Sequence, residues 1–306
     1  MKGALGEVAE LQSKVATLAE AAHYVHDGAR IAFGGISVQQ HPMAFIRELI
    51  RQEKRDLAVI GTINGSDVDI LAGAGCVKRV ETSYVGLEQF GLARNFRRKV
   101  EQGELQIVDY TDMLTFDRFR ASQDNLTFWP CSFLGGNDTA RYNPDIKEFA
   151  CPLTGKRYWA VPPASPDVVV VHAPAADEYG NVLISPRRLL PQSLDVLMTR
   201  SCDTVIVTVE RIVPHDLVRK HPDLNQIPAY RTTCVVLAPW GAHPTSMLGM
   251  YEVDDEHFGE YVAASESDAT FQDYLEKYVI RPKDQMEYLE LIGVRRMISL
   301  QRGDVL

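Results

Sequence analysis

The sequence predicts an α/β protein built on an open, mostly parallel sheet with helices on both faces and a long inserted excursion. Three observations predict it. Short apolar runs alternate with helical stretches of about ten to fifteen residues, the pattern of parallel strands joined by crossover helices. Residues 167–172 are an acid, four valines and a histidine, which reads as a strand buried on both faces. No internal repeat or low-complexity segment breaks the alternation.

Each element follows in order. Val8, Leu11, Val15, Leu18 and Ala22 lie three or four apart and predict an amphipathic helix over 8–25, ended by Asp27-Gly28. Residues 30–33 form an apolar strand, followed by Gly34-Gly35 and a polar loop. Pro42 stands where a helix starts, and 56–60 are the next buried strand. Asp67 is expected to cap a helix over 67–75. A strand at 77–81, a helix at 93–102 and a strand at 105–109 continue the series, with Asp109 at a strand end and Asp112 capping the next helix. Residues 130–165, rich in Gly, Pro and polar side chains, are expected to be an irregular excursion with a hairpin around 153–156. Strands follow at 167–172, 203–209 and 232–238. From 254 the chain reads as helical to about 291 and ends in a strand at 296–300. Residues 1–306 are expected to form a single elaborated domain.

Composition narrows the function. Lys plus Arg number 32 against 41 Asp plus Glu, a net charge of −9, whereas phosphate neutralisation needs a basic surface, so no nucleic-acid partner is expected. An apolar fraction of 45% in 306 residues is enough for a large core, and so for an enzyme. No run reaches the roughly eighteen apolar residues of a membrane span, and Glu7 and Glu10 interrupt any signal core. The five cysteines have no CxxC or zinc spacing, so reduced thiols, no metal and a cytoplasmic location are expected.

Several motifs fail. Gly73-Ala-Gly75 precedes a strand and lacks the third glycine of a dinucleotide fingerprint. Gly155-Lys156 lacks the upstream glycine of a phosphate loop, and neither HExxH nor GxSxG occurs. His23 and His26 are three apart with no third ligand in view, which favours a solvated helix face.

What remains is the segment 27–42. A strand ends in two glycines, and a loop then runs into a proline-started helix. Glycine pairs let backbone approach a ligand and leave N–H groups to meet an anion, although a tight turn needing positive φ explains them equally well. The segment resembles the N-terminal signature of family I coenzyme A transferases, with Asp27, Gly28, Ile31, Ala32, Phe33, Gly34, Gly35 and Pro42 at matching spacing. Ile36 stands for the family Phe and Gln40 for the family Gly, departures compatible with the glutaconate branch. The resemblance continues through 95–105, 177–182, 235–244, 249–251 and the tail from Asp268, and so covers nearly the whole chain. It is most similar to glutaconate CoA-transferase A subunits.

The resemblance implies the sheet topology shared by coenzyme A transferases and sugar-phosphate isomerases. It also implies chemistry in which a glutamate attacks an acyl-CoA thioester and CoA thiolate returns to form an enzyme–CoA thioester. That glutamate lies in a Ser-Glu-Asn-Gly motif on the B subunit, and this chain has none. Its Ser265-Glu266 pair runs on into Ser267-Asp268. The implied role is therefore an A subunit that needs a B subunit, in an α2β2 or larger assembly. Acyl-CoA and a small carboxylic or dicarboxylic acid are the substrates, with no permanently bound cofactor. Gly34, Gly35, Ile36 and Ser37 are expected to form the oxyanion and substrate loop. Glu88, between two glycines after a strand, is a candidate base or substrate contact, or a plain loop glutamate. Arg94, Arg97 and Arg98 are candidate contacts for CoA phosphates or an acid, or a solvated helix face. His243, in Trp240-Gly-Ala-His-Pro244, is either a site residue or a satisfied core histidine.

Two other readings compete. Some A/B pairs resembling these transferases hydrolyse carbon–carbon bonds of cyclic CoA thioesters in steroid breakdown and lack the Ser-Glu-Asn-Gly motif in both subunits. A ligand-binding or isomerase module of the same topology is the third, and the Gly-Gly spacing and the block 235–244 argue against it.

Overall fold

A computed structural model describes residues 12–134, 138–185 and 188–302. Among these, a ten-stranded sheet runs in the order Val15–Ala16, Cys234–Leu237, Val205–Val213, Val168–Asp177, Arg30–Phe33, Leu57–Ile60, Val77–Thr82, Gln106–Asp109. Those eight strands are parallel to their neighbours. Two short strands, Val182–Leu183 and Asn225–Ile227, extend it antiparallel. Apart from the edge strand Val15–Ala16, chain order runs outward in both directions from the pair Arg30–Phe33 and Val168–Asp177, so the topological switch point lies between them. Open α/β sheets bind ligands beyond the carboxyl ends of such strands.

Alternation along the central strand explains the two covered faces. Val168 and Val170 join one core with Phe45, Ile46, Leu49, Val68, Leu71, Phe258 and Phe271. Val169 and Val171 turn to the other, with Phe119, Leu194, Val196 and Met198. Helices Met43–Arg51, Ser66–Gly73 and Asp255–Ala264 therefore cover one side, and Asp112–Gln123 and Leu190–Met198 the other.

Four expectations are corrected. In place of a helix over 8–25, Val15–Ala16 pairs with Val235 and Val236 at the sheet edge. The helix that follows is Leu18–Ala22, started by a Thr17–Glu20 capping box, while 8–11 lie outside the described residues. Asp67 and Asp112 are not caps: Gly65 and Thr111 hold those positions, and each aspartate lies inside the first turn. Residues 130–165 are not wholly irregular. Trp129–Cys131, Lys147–Ala150 and Arg157–Val161 form a small antiparallel sheet. The hairpin around 153–156 is present, with Cys151 N–H donating to Lys156 O at 2.8 Å. Finally, 296–300 is not a strand: Val294–Leu300 is a helix with Gly293 at φ +90° as its N-cap.

Candidate active site at the switch point

Phe33 leads straight into Gly34-Gly35-Ile36-Ser37, so this loop leaves the sheet at the carboxyl edge of the switch point. Its N–H donors are already used. Gly34 N–H donates to Val170 O at 2.8 Å, and Gly35 N–H to Asp195 Oδ1 at 2.8 Å. Ile36 N–H donates to Gln39 O at 2.9 Å, and Ser37 N–H to Ile63 O at 2.8 Å. The expectation that these amides stand free for an oxyanion is corrected: each already has an acceptor within the chain.

The same bonds make the loop rigid. Gln39 N–H returns to Ile36 O at 2.9 Å, closing a tight turn. Gln40 N–H donates to Ser246 O at 2.7 Å, and Ser246 N–H to Val38 O at 3.1 Å. His41 is fully buried beneath it, with Nδ1 2.8 Å from Gly34 O and Nε2 3.0 Å from Ser37 O. Asp67 Oδ1 stands 3.6 Å from the same Nε2. Three of the loop's residues take left-handed backbone: Gly35 at φ +89°, Ser37 at +56° and Gln40 at +60°. Gln40 thus adopts the conformation that glycine adopts freely, and it is Asp195 that holds its side chain, accepting from Nε2 at 2.8 Å.

Glu88 comes to this loop from the neighbouring half of the sheet. It opens a short 3-10 turn, Glu88–Phe90, at φ +50°, with its carboxylate exposed. Ser37 Oγ donates to Glu88 Oε1 at 2.7 Å. The close approach depends on Gly65, where an added Cβ would stand 2.0 Å from Ser37 O. The structure therefore brings together Gly34, Gly35, Ile36, Ser37 and Glu88.

The arginines and His243 are placed elsewhere. On helix Arg94–Glu101, Arg94 pairs with Glu266, Arg97 with Glu101 at 3.5 Å and Arg98 with Asp268 at 2.6 Å. All three guanidinium groups have carboxylate partners, the arrangement of a charged helix surface. His243 is a core histidine, 1% exposed: Nε2 lies 2.9 Å from Asp254 Oδ2 and Nδ1 2.6 Å from Tyr288 OH. Burial lowers its pKa and favours the neutral ring, against the opposing pull of Asp254. His23 and His26 are exposed.

Two buried acids escaped the sequence reading. Asp195, on Leu190–Met198, lies behind the glycines, and burial pushes its carboxyl up to about 7, against the lowering bonds from Gly35 and Gln40. Glu210 accepts from Tyr251 OH at 2.7 Å and Trp240 N–H at 2.7 Å, and lies 2.8 Å from His172 Nε2. It ties the block around Trp240 to the sheet. Neither acid has a local motif: Asp195 is more than 150 residues from the loop it serves, and Glu210 stands 30 residues before Trp240 on a separate strand.

The class of protein that this sheet and loop define is confirmed by comparison. The coenzyme A transferase profile matches residues 15–238, and the chain belongs to that family. It is 32% identical to the A subunit of glutaconate CoA-transferase from Acidaminococcus fermentans, over 94% of this chain and 95% of that one. It is also 32% identical to the A subunit of 3-oxoadipate CoA-transferase from Pseudomonas knackmussii, over 90% and 97%. An uncharacterized protein of Archaeoglobus fulgidus is 35% identical over 96% of this chain, which spans 65% of that longer protein. Among solved structures, glutaconate coenzyme A-transferase from Acidaminococcus fermentans superimposes with TM-score 0.90, covering 96% and 97% of the two chains at 31% identity. A variant of the decarboxylase AibA/AibB gives 0.76 at 32% identity, covering 87% and 99%. A cholesterol ring-cleaving hydrolase IpdA subunit of Rhodococcus jostii is more distant, at 25% identity over 90% of this chain and 95% of its own, and does not favour the hydrolase alternative.

Proposed function

We propose that this chain is the A subunit of a two-chain enzyme that moves CoA between a thioester and a small carboxylic or dicarboxylic acid. The observation that carries this is end-to-end similarity to transferase A subunits together with the absence of a Ser-Glu-Asn-Gly segment. The partner B subunit supplies the nucleophilic glutamate. Its carboxylate oxygen attacks the thioester carbonyl and CoA thiolate leaves, giving a mixed anhydride. Thiolate then attacks the glutamyl carbonyl, releasing the first acid and forming the enzyme–CoA thioester. The acceptor acid runs the exchange in reverse.

This chain contributes the rigid loop and the Ser37–Glu88 pair at its rim. With the amides of 34–37 occupied, the oxyanion donors come from the partner. Coenzyme A enters and leaves as a substrate, and no cofactor stays bound. The assembly is α2β2 or larger and cytoplasmic, with residues 1–306 as one alpha-type unit. No helix among the described residues is long and apolar enough to cross a membrane.

Co-production with the product of the neighbouring gene tests the proposal. The complex is incubated with acyl-CoA, reduced with borohydride, and each chain weighed intact. Reduction at a glutamate of the partner alone is expected. Thioester consumption with neither chain modified would reject the transferase mechanism.

A further inference from the structure

We propose that Asp195 is a positioning residue for this reaction, acting through Gly35 and Gln40 to set the loop that presents Ser37 and Glu88. The inference rests on the function proposed above.

Asp195 is 1% exposed, and its two carboxylate oxygens have one donor each: Gly35 N–H on Oδ1 and Gln40 Nε2 on Oδ2, both at 2.8 Å. No salt bridge to it occurs among the described residues. A buried carboxyl held only by neutral donors is costly, and an apolar residue would serve the helix better. What the carboxyl does that an apolar residue cannot is bridge residues 35 and 40. It thereby pins both ends of the turn in which Ile36 and Gln39 exchange hydrogen bonds. The fit is close, since a Cβ on Gly34 would stand 2.5 Å from Asp195 Oδ1. Inside the pinned turn, Ser37 is held at φ +56°, with its hydroxyl on Glu88.

The bridge rearranges when the proton count changes. Gln40 Oε1 is buried with no partner. Rotation of the Gln40 amide turns that oxygen toward the Asp195 carboxyl, so the protonated acid has an acceptor while its other oxygen keeps Gly35. The groups facing Asp195 from the loop, Gly35 and Gln40, are uncharged. His41 faces the carbonyls of Gly34 and Ser37 instead.

The test compares wild type, Asp195→Ala and Asp195→Asn in the complex with the partner. Alanine leaves Gly35 N–H and the Gln40 amide without acceptors. A loss in kcat of about tenfold or more is expected, with KM within about twofold, and faster hydrogen exchange over 34–41. Asparagine restores the bridge, its Oδ1 accepting from Gly35 and its Nδ2 donating to a rotated Gln40, so kcat returns to within about threefold of wild type. The ionisation that Asp195 gives the kcat–pH profile in the neutral range disappears in this variant. A merely structural role would lower the yield of folded complex and leave that profile unchanged. Wild-type kcat in Asp195→Ala, or an unaltered profile in Asp195→Asn, overturns the proposal; if the alanine variant fails to fold, the asparagine profile decides. A wild-type complex with no CoA transfer rejects the proposed function instead. Loop exchange in Asp195→Ala is then the criterion: faster exchange upholds the loop-setting role, and unchanged exchange overturns it.

Discussion

Glu81 shows how a single residue can hold one face of the sheet together. Its buried carboxylate accepts from Arg30 Nη1 at 3.0 Å, Arg79 Nε at 2.8 Å and Arg118 Nη2 at 2.5 Å. Arg118 is itself 2% exposed and lies 3.9 Å from the centre of the Tyr110 ring. Burial alone would raise the Glu81 pKa, but Arg118 and then Arg30 outweigh it and bring it to about 2. A carboxylate depressed in the fold stabilises above its unfolded pKa of 4.5 and loses that contribution as pH falls toward 2. The contribution is about 3 kcal/mol. Glu81→Gln leaves a buried guanidinium uncompensated and is expected to cost roughly 3–5 kcal/mol at pH 7 in urea melts. The gap between wild type and variant should narrow by pH 3; a gap constant from pH 7 to 3 refutes the assignment. Little of this was legible in the sequence, because the four charged residues lie between 30 and 118 and meet only across the sheet. The glycine loop was legible by its spacing, yet Ser37, Gln40 and Glu88 are left-handed residues that nothing in their chemistry announces.

At the scale of elements, burial separates two helix caps of the same residue type. Asp254 caps Asp255–Ala264 by accepting from His257 N–H at 2.8 Å, and Asp284 caps Gln285–Ile292 by accepting from Glu287 N–H at 2.9 Å. Asp284 is exposed, so Asp284→Ala should cost about 1 kcal/mol. Asp254 is 1% exposed and also joins His243 to Arg296, whose Nε lies 3.0 Å from both its oxygens. Burial opposes its ionisation, but the bonds from His243 and Arg296 hold its carboxyl far below the usual carboxylate range. Asp254→Ala is expected to cost roughly 3–5 kcal/mol in thermal melts. Equal losses from the two substitutions would contradict this ranking. The Arg296 contact also explains the misread tail. Residues 296–300 look strand-like alone, but Gly293 turns the chain into a helix that leaves Val294 and Ile298 exposed and brings Arg296 onto Asp254. Central strands were legible because both faces are apolar. The edge strand Val15–Ala16 was not, because two residues carry no period.

For the whole molecule, the two ends of the sheet differ in what they offer. At the amino ends, a polar cleft of about 540 Å³ is lined by Ser122, Asp167, Arg200, Cys202, Asp203 and Arg231. At the carboxyl ends stand the loop 34–41 and the rim 84–92, where Glu88 is exposed together with Tyr84 at 41% and Leu92 at 58%. If the nucleophile comes from a second chain, that chain must reach the carboxyl edge, since the switch-point loop opens there and nowhere else along Arg30–Phe33. Exposed Tyr84 and Leu92 beside an ordered carboxylate suit an interface in which apolar area surrounds a polar centre. Hydrogen exchange of this chain alone and with its partner distinguishes the two ends. Addition of the partner is expected to slow exchange in peptides spanning 84–92 and 34–41 by tenfold or more, about 1.4 kcal/mol, while peptides around Arg200 and Arg231 stay unchanged. Protection confined to the amino-end cleft would place the partner on the wrong side of the sheet for a shared active site. The two-chain mechanism could not then use Ser37 and Glu88.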